Sequence, residues 1–205
     1  MLATSSAIIQ RIMKLRDDGR ATLAYFYFDF RDEEKQDLRK SVASLLVQLS
    51  TYSKPCCDIM YRLYSTHGKG EQQPSKAILI DCLKEMLTAD AHRPTFIVMD
   101  ALDECPDDCG IPTPREAVLN LVKDLVLQHI QNLHMCVASR PEIGIQTKLK
   151  PLAVNAISLD VESRQKIVIE NYVSSVVSSD EYMSKWQDED KKLAIDELSE
   201  RADGM

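Results

Sequence analysis

Glycine is scarce in this 205-residue chain, and none of its six glycines lies in a loop that could wrap a phosphate. The only Gly-Lys pair, in GKG at 68–70, stands in a polar loop with no strand ahead of it. Bases are also in short supply: 25 Lys and Arg against 32 Asp and Glu leave a net charge of −7. That balance excludes a general affinity for a nucleic-acid backbone, which needs clustered cations. The cations present are scattered among acids, as in RDEEKQDLRK at 31–40. No stretch approaches the about 18 consecutive apolar residues of a membrane span. The N-terminus MLATSSAIIQRIMKLR has spaced rather than continuous apolar positions and no basic start, so it is not read as a secretory leader. A cytoplasmic protein without membrane or nucleic-acid partners is expected. The six cysteines form no disulfide framework and are read as reduced thiols. Cys105 and Cys109 flank PDD like half of a metal site. No second Cys or His pair stands at ligand spacing, so zinc is not expected.

What is present is ordinary globular material, 44% hydrophobic and 28% charged, in a chain long enough for a substantial core. Ile8, Ile12 and Leu15, with Ile9 beside them, predict a helix over 3–16 that ends at DDG. TLAYFYF at 22–28 reads as a strand covered on both faces. Leu38, Val42, Leu45, Leu46 and Leu49 follow the helical period over 36–51. STHGKGEQQPS at 65–75 reads as a loop, with Ser75 capping a helix that runs to about 88. Pro94 introduces a strand at 95–99, and CPDDCGIP is a loop. TPRE at 113–116 carries a cap, a proline for the first turn and a capping-box glutamate. Further strands are expected at 133–139 and 155–159, and further helices at 162–178 and 189–202. Strands separated by helices imply an α/β fold with a parallel sheet. His67, His92, His129 and His134 read as surface or loop residues.

FIVMDALDEC at 96–105 drives an apolar strand into three carboxylates. In a parallel sheet, ligands gather beyond the carboxyl ends of the strands. Asp100 stands at that edge, where one carboxylate can hold a hydrated Mg²⁺. Asp103 and Glu104 follow in the turn, and either can orient or deprotonate a water for attack on a phosphate. The next strand ends in Ser139 and Arg140, which places a hydroxyl and a cation at the same edge. Asp100 and Arg140 are therefore expected on adjacent strands at one edge of the sheet. The competing reading is that Asp100 caps the turn and Arg140 pairs with Asp100 or Asp103 with no ligand present.

Five segments together resemble the NACHT-type NTPases of the STAND class, in the version found in fungal NOD-like receptors and nephrocystin-type N-terminal domains. They are ATLAYFYFDFRDEEKQDLRKSVASLLVQLS (21–50), FIVMDALDECPDD (96–108), TPREAV (113–118), NLHMCVASRPE (132–142) and ERADGM (200–205). The resemblance implies a three-layer, parallel-sheet P-loop NTPase (STAND/AAA-like) fold that lacks its first strand and phosphate loop. It implies a nucleotide-binding core over 1–160 and a helical segment over 161–205 leading toward a following helical or winged-helix region. By the same resemblance Asp100 is the Mg²⁺-associated Walker B acid. Glu104 is preferred over Asp103 as the water-activating acid, and Ser139 and Arg140 take the place of sensor residues. ATP and Mg²⁺ are the implied cofactors. A homo-oligomer in the full-length protein, with effector and repeat domains outside this chain, is the implied assembly.

The departure from that family is the glycine loop. GxxxxGK[ST] uses backbone N–H groups to cradle phosphates and its lysine to reach the outer ones, and no such motif occurs here. Met1–Leu15 resembles the helix that follows such a loop, so the chain is expected to start just after it. Two functions compete. One is an ATP-driven intracellular switch of the nonself-recognition or cell-death type. The other is a nucleotide-dead interaction or oligomerisation module with the same fold. A metal-dependent hydrolase built on the three acids is a third and weaker reading, because no histidine or further acid pair completes it.

Overall fold

Three short runs rich in aromatic and apolar residues build the sheet. The computed structural model describes residues 2–89, 92–108, 110–157, 162–180 and 183–201. Within them β1 (Thr22–Tyr27), β2 (Thr95–Asp100) and β3 (Leu133–Val137) lie in that spatial order. Both pairs are parallel, in register from Thr22 opposite Thr95 to Tyr27 opposite Asp100, and from Thr95 opposite Leu133 to Met99 opposite Val137. Parallel neighbours need long crossovers. Helices α2 (Leu38–Ser50), α3 (Lys54–Thr66) and α4 (Lys76–Ala89) connect β1 to β2, and α5 (Pro114–Leu127) connects β2 to β3.

Alternation along each strand sorts side chains to two faces. Ala24, Phe26, Ile97 and Met99 face the larger core, filled from α2, α4 and α5 by Leu45, Leu46, Leu83, Val118 and Leu125. Leu23 and Val98 face the other way and pack on Ile9 and Ile12 of α1 (Leu2–Asp17). The free edge of β1 is partly closed by a side chain. The Gln48 amide accepts from the Tyr25 N–H at 3.0 Å and donates to the Tyr25 carbonyl at 2.8 Å, as a neighbouring strand would.

Several expectations need correction. α3 is not anticipated from the sequence. Its inward stripe is only Cys56, Ile59 and Leu63, and the exposed Tyr61 and Tyr64 blur the helical period. Its start is nonetheless well formed, with Ser53 accepting from the Cys56 N–H and a proline in the first turn. The loop expected from residue 65 begins only after Thr66 and holds one 3-10 turn at Gly68–Gly70. α6 (Ile143–Leu149) is also new, being too short to show a period. β3 ends at Val137, although Ala138 still donates to Met99 at 2.9 Å. The strand expected at 155–159 is not one over 155–157, and 158–159 lie outside the described residues. His134 is a surface residue as expected, in β3 and stacked on Phe96 at 4.8 Å between ring centres.

The chain divides between Ala153 and Val154 into two compact units. The first holds the sheet and α1–α6. The second is a helical pair, α7 (Glu162–Ser179) and α8 (Asp188–Arg201), with Val177 buried. Among the described residues no helix is long and apolar enough to cross a membrane.

Candidate functional site

β2 delivers Asp100 to the carboxyl edge of the sheet, where it is 1% exposed. Its Oδ1 accepts the Ala101 N–H at 2.9 Å. Its Oδ2 is buried with no hydrogen-bond partner among the described residues. Strand alternation sends this side chain to the α1 face, with Phe96 and Val98. Two neighbours register it. Burial pushes the Tyr27 phenol above its ordinary value, Ser6 pulls it back, and the negative field of Asp100 adds to the upward shift. Burial likewise raises the Cys136 thiol, with Asp100 adding to it.

Immediately after the aspartate the chain turns sharply. Ala101 has φ +56° and ψ +44°, the left-handed region where a Cβ is crowded. That turn starts the 3-10 segment Leu102–Glu104, whose Leu102 is fully buried and pins the acid-bearing turn to the core. Ala101→Gly is therefore expected to stabilise the protein by about 1 kcal/mol, the net of relieved strain and added unfolded-state freedom. Urea titration checks this, and a loss of stability would mean that Ala101 contributes packing beyond its backbone conformation.

The turn separates its two acids. Asp103 is only 5% exposed in its side chain, and its Oδ1 accepts the Arg140 N–H at 2.9 Å. Its Oδ2 lies 3.5 Å from Arg140 Nε. Glu104 points elsewhere, its Oε2 accepting the Phe30 N–H at 3.3 Å from the loop after β1. Asp100 and Arg140 do stand beyond adjacent parallel strands at one edge, but Arg140 pairs with Asp103, not Asp100. The Ser139 hydroxyl donates to the Arg140 carbonyl at 2.8 Å, within its own loop. The three carboxylates do not converge. Among the described residues no group of three or more His, Cys, Asp or Glu is placed to hold a metal ion. A hydrated Mg²⁺ needs only one or two carboxylates plus water, and the partnerless Oδ2 of Asp100 suits that donor role.

An open cleft of about 380 Å³ lies over the turn. Phe30, Asp103, Glu104, Arg140 and Glu142 line it, together with Arg115, which the sequence did not single out. An arginine in the first turn of a helix reads as a surface residue. Here it donates from Nε to the Cys105 carbonyl at 2.9 Å and from Nη2 to the Asp103 carbonyl at 2.6 Å. Nη1 reaches Glu142 at 2.5 Å. The cap that orients it is the predicted one, with Thr113 and Glu116 exchanging side-chain and backbone bonds. Cys105 is buried, its thiol donating to the Gln36 carbonyl at 3.1 Å, and burial pushes its pKa up to about 12. Such a thiol is held as a packing group rather than a nucleophile. Cys109 lies outside the described residues.

A family model described as nephrocystin 3, N-terminal, matches residues 3–140. This chain belongs to that family. No curated protein and no solved structure matches it. The span of the nephrocystin 3 N-terminal family covers α1, all three strands and the acid turn, and it ends on Arg140. The matched residues are thus the ones that bring Asp100, Asp103 and Glu104 to the sheet edge and pair Asp103 with Arg140.

Proposed function

We propose that this nephrocystin-type domain is the acid-and-sensor part of a NACHT-type, ATP- and Mg²⁺-dependent intracellular switch with a P-loop NTPase fold. The observation that carries the reading is Asp100: a buried carboxylate with one oxygen that has no partner among the described residues, at the carboxyl edge of a parallel sheet. Burying an unsatisfied charged oxygen is costly, and a cation restores the balance. In the proposed site Asp100 would hold the Mg²⁺, which would neutralise phosphate charge, and Glu104 would activate the attacking water. Arg140 and Ser139 meet the outer phosphates after Arg140 leaves Asp103. β3 is the outer strand opposite β1, with partly exposed side chains. Its free edge is the place for a strand that leads into a phosphate loop. Switching, self-assembly and signalling to effector and repeat domains belong to the full-length protein in this reading, with α7 and α8 leading toward a further helical region.

A second reading, a nucleotide-dead interaction module, draws on two observations. The sequence contains no GxxxxGK[ST] loop, and Arg140 is already satisfied by Asp103. Calorimetry separates the two readings. These 205 residues are expected to bind Mg-ATP weakly, because the backbone cradle and lysine make most phosphate contacts in such sites. Joining a strand and a GxxxxGK[ST] loop ahead of α1 is expected to produce binding. If it does not, the interaction module is the better account. Low-micromolar binding by the 205 residues alone would mean that another loop supplies the cradle.

A further inference from the structure

The geometry points to Arg115 as a positioning residue that makes the turn after β2 and the loop after β3 move as one unit. The turn begins at a strained left-handed alanine, and its backbone carbonyls at Asp103 and Cys105 face a guanidinium rather than a strand or helix. Arg115 is anchored by α5, whose proline start and capping box fix its first turn. From that base one fork face takes both carbonyls of the acid turn, and the remaining Nη1 takes Glu142 from the loop after β3 and, more distantly, Asp107 at 3.5 Å. The Arg115 side chain is 14% exposed, so its bonds to the two carbonyls are partly shielded from water, whereas its partner Glu142 is 44% exposed.

A second connection closes the circuit. The Arg140 N–H donates to Asp103 across the same two loops, and Arg140 precedes Glu142 by one proline. The Glu142 N–H in turn donates to the Arg140 carbonyl at 2.8 Å. A displacement at Glu142 therefore reaches the acid turn by two routes, through Arg115 and through Arg140. The first route is charge-assisted, the second combines a backbone bond with the charge-assisted one to Asp103, and both add to a single backbone bond between the two loops, from the Leu102 N–H to the Ala138 carbonyl at 3.1 Å. Lysine could not substitute: one ammonium cannot serve two carbonyls and a carboxylate from a planar fork. This coupling extends beyond the nucleotide reading, because it concerns how the cleft walls move whatever the cleft receives.

Amide hydrogen exchange on the 205-residue chain, resolved by residue with NMR and run without nucleotide, tests it. The informative amides are Leu102, Glu104 and Cys105 in the turn, Arg140 in the opposite loop, and Ile97 and Met99 as the core reference. Arg115→Met keeps the apolar stem and removes the fork. It is expected to speed exchange of the turn amides and Arg140 by about tenfold, with the reference amides within about twofold. Glu142→Gln removes only the ion pair, and is expected to speed the turn amides by about threefold although Glu142 is not in the turn. In the Arg115→Met background that second effect should vanish, the non-additivity expected of coupled residues. Three results would overturn the assignment: turn amides unmoved by Arg115→Met, a Glu142→Gln effect confined to its own loop, or equal acceleration of core and turn amides. The last would show that Arg115 supports global stability only.

Discussion

Asp100→Asn is expected to make the metal-free protein more stable. The native carboxylate is almost fully buried, and among the described residues only one of its oxygens has a partner. An asparagine keeps the Oδ1 acceptor for the Ala101 N–H and replaces a buried charged oxygen with a neutral amide. The gain should be about 1 kcal/mol, because the buried charge is removed while the amide NH2 in place of Oδ2 still lacks a partner. Urea or thermal unfolding in EDTA measures it. The opposite result, a loss of 1 kcal/mol or more on the same scale, would mean that the second oxygen already has a favourable partner and would remove the main support for a cation at this position. The sign distinguishes a functional acid from a structural one. Residues retained for ligand binding commonly cost stability, and residues retained for folding do not.

Glu104→Gln is expected to have the largest effect on chemistry, in a form of the protein joined to a strand and GxxxxGK[ST] loop that binds ATP. Glutamine keeps an oxygen to accept the Phe30 N–H, so the turn and the loop after β1 should stay in place. Only the base is lost. Hydrolysis should fall by about 10²-fold or more, the scale for removing a general base, while ATP affinity stays nearly constant. Single-turnover kinetics beside calorimetry resolves the two. If affinity collapses while turnover per bound nucleotide survives, Glu104 is a ligand rather than a base. Asp103 would then inherit the role, but only after giving up both of its contacts with Arg140.

The Arg140–Asp103 pair shows why reading residue types alone left the partner of Arg140 open between Asp100 and Asp103. Sequence placed an acid and an arginine at one sheet edge, and that is where they stand. Which acid the arginine would meet depended on the direction in which each side chain leaves the backbone. Asp100 is still in strand geometry and alternates toward α1, whereas Asp103 lies beyond the left-handed turn at Ala101 and faces the cleft. The turn after Asp100 is legible in the sequence, but its left-handed start at Ala101 is not, because alanine is not the residue expected at positive φ.

Local pattern determined a great deal of this protein by itself. Short bounded apolar runs located the strands β1, β2 and β3, the helical period located α1, α2, α4 and α5, and residue types located the capping box of α5, because each depends on residues within a few positions of one another. The parallel sheet followed from their order, since strands separated by helices can rarely pair otherwise. Tertiary structure decided what depends on distant residues meeting. The Gln48 amide seals Tyr25 from 23 positions away, and α3 earns its place from three inward residues that only α2 and α4 make into a stripe. Arg115 became a connector between two loops only once β2 and β3 lay side by side. Hydrogen bonds of that kind have no period and no spacing, so no sequence window can contain them.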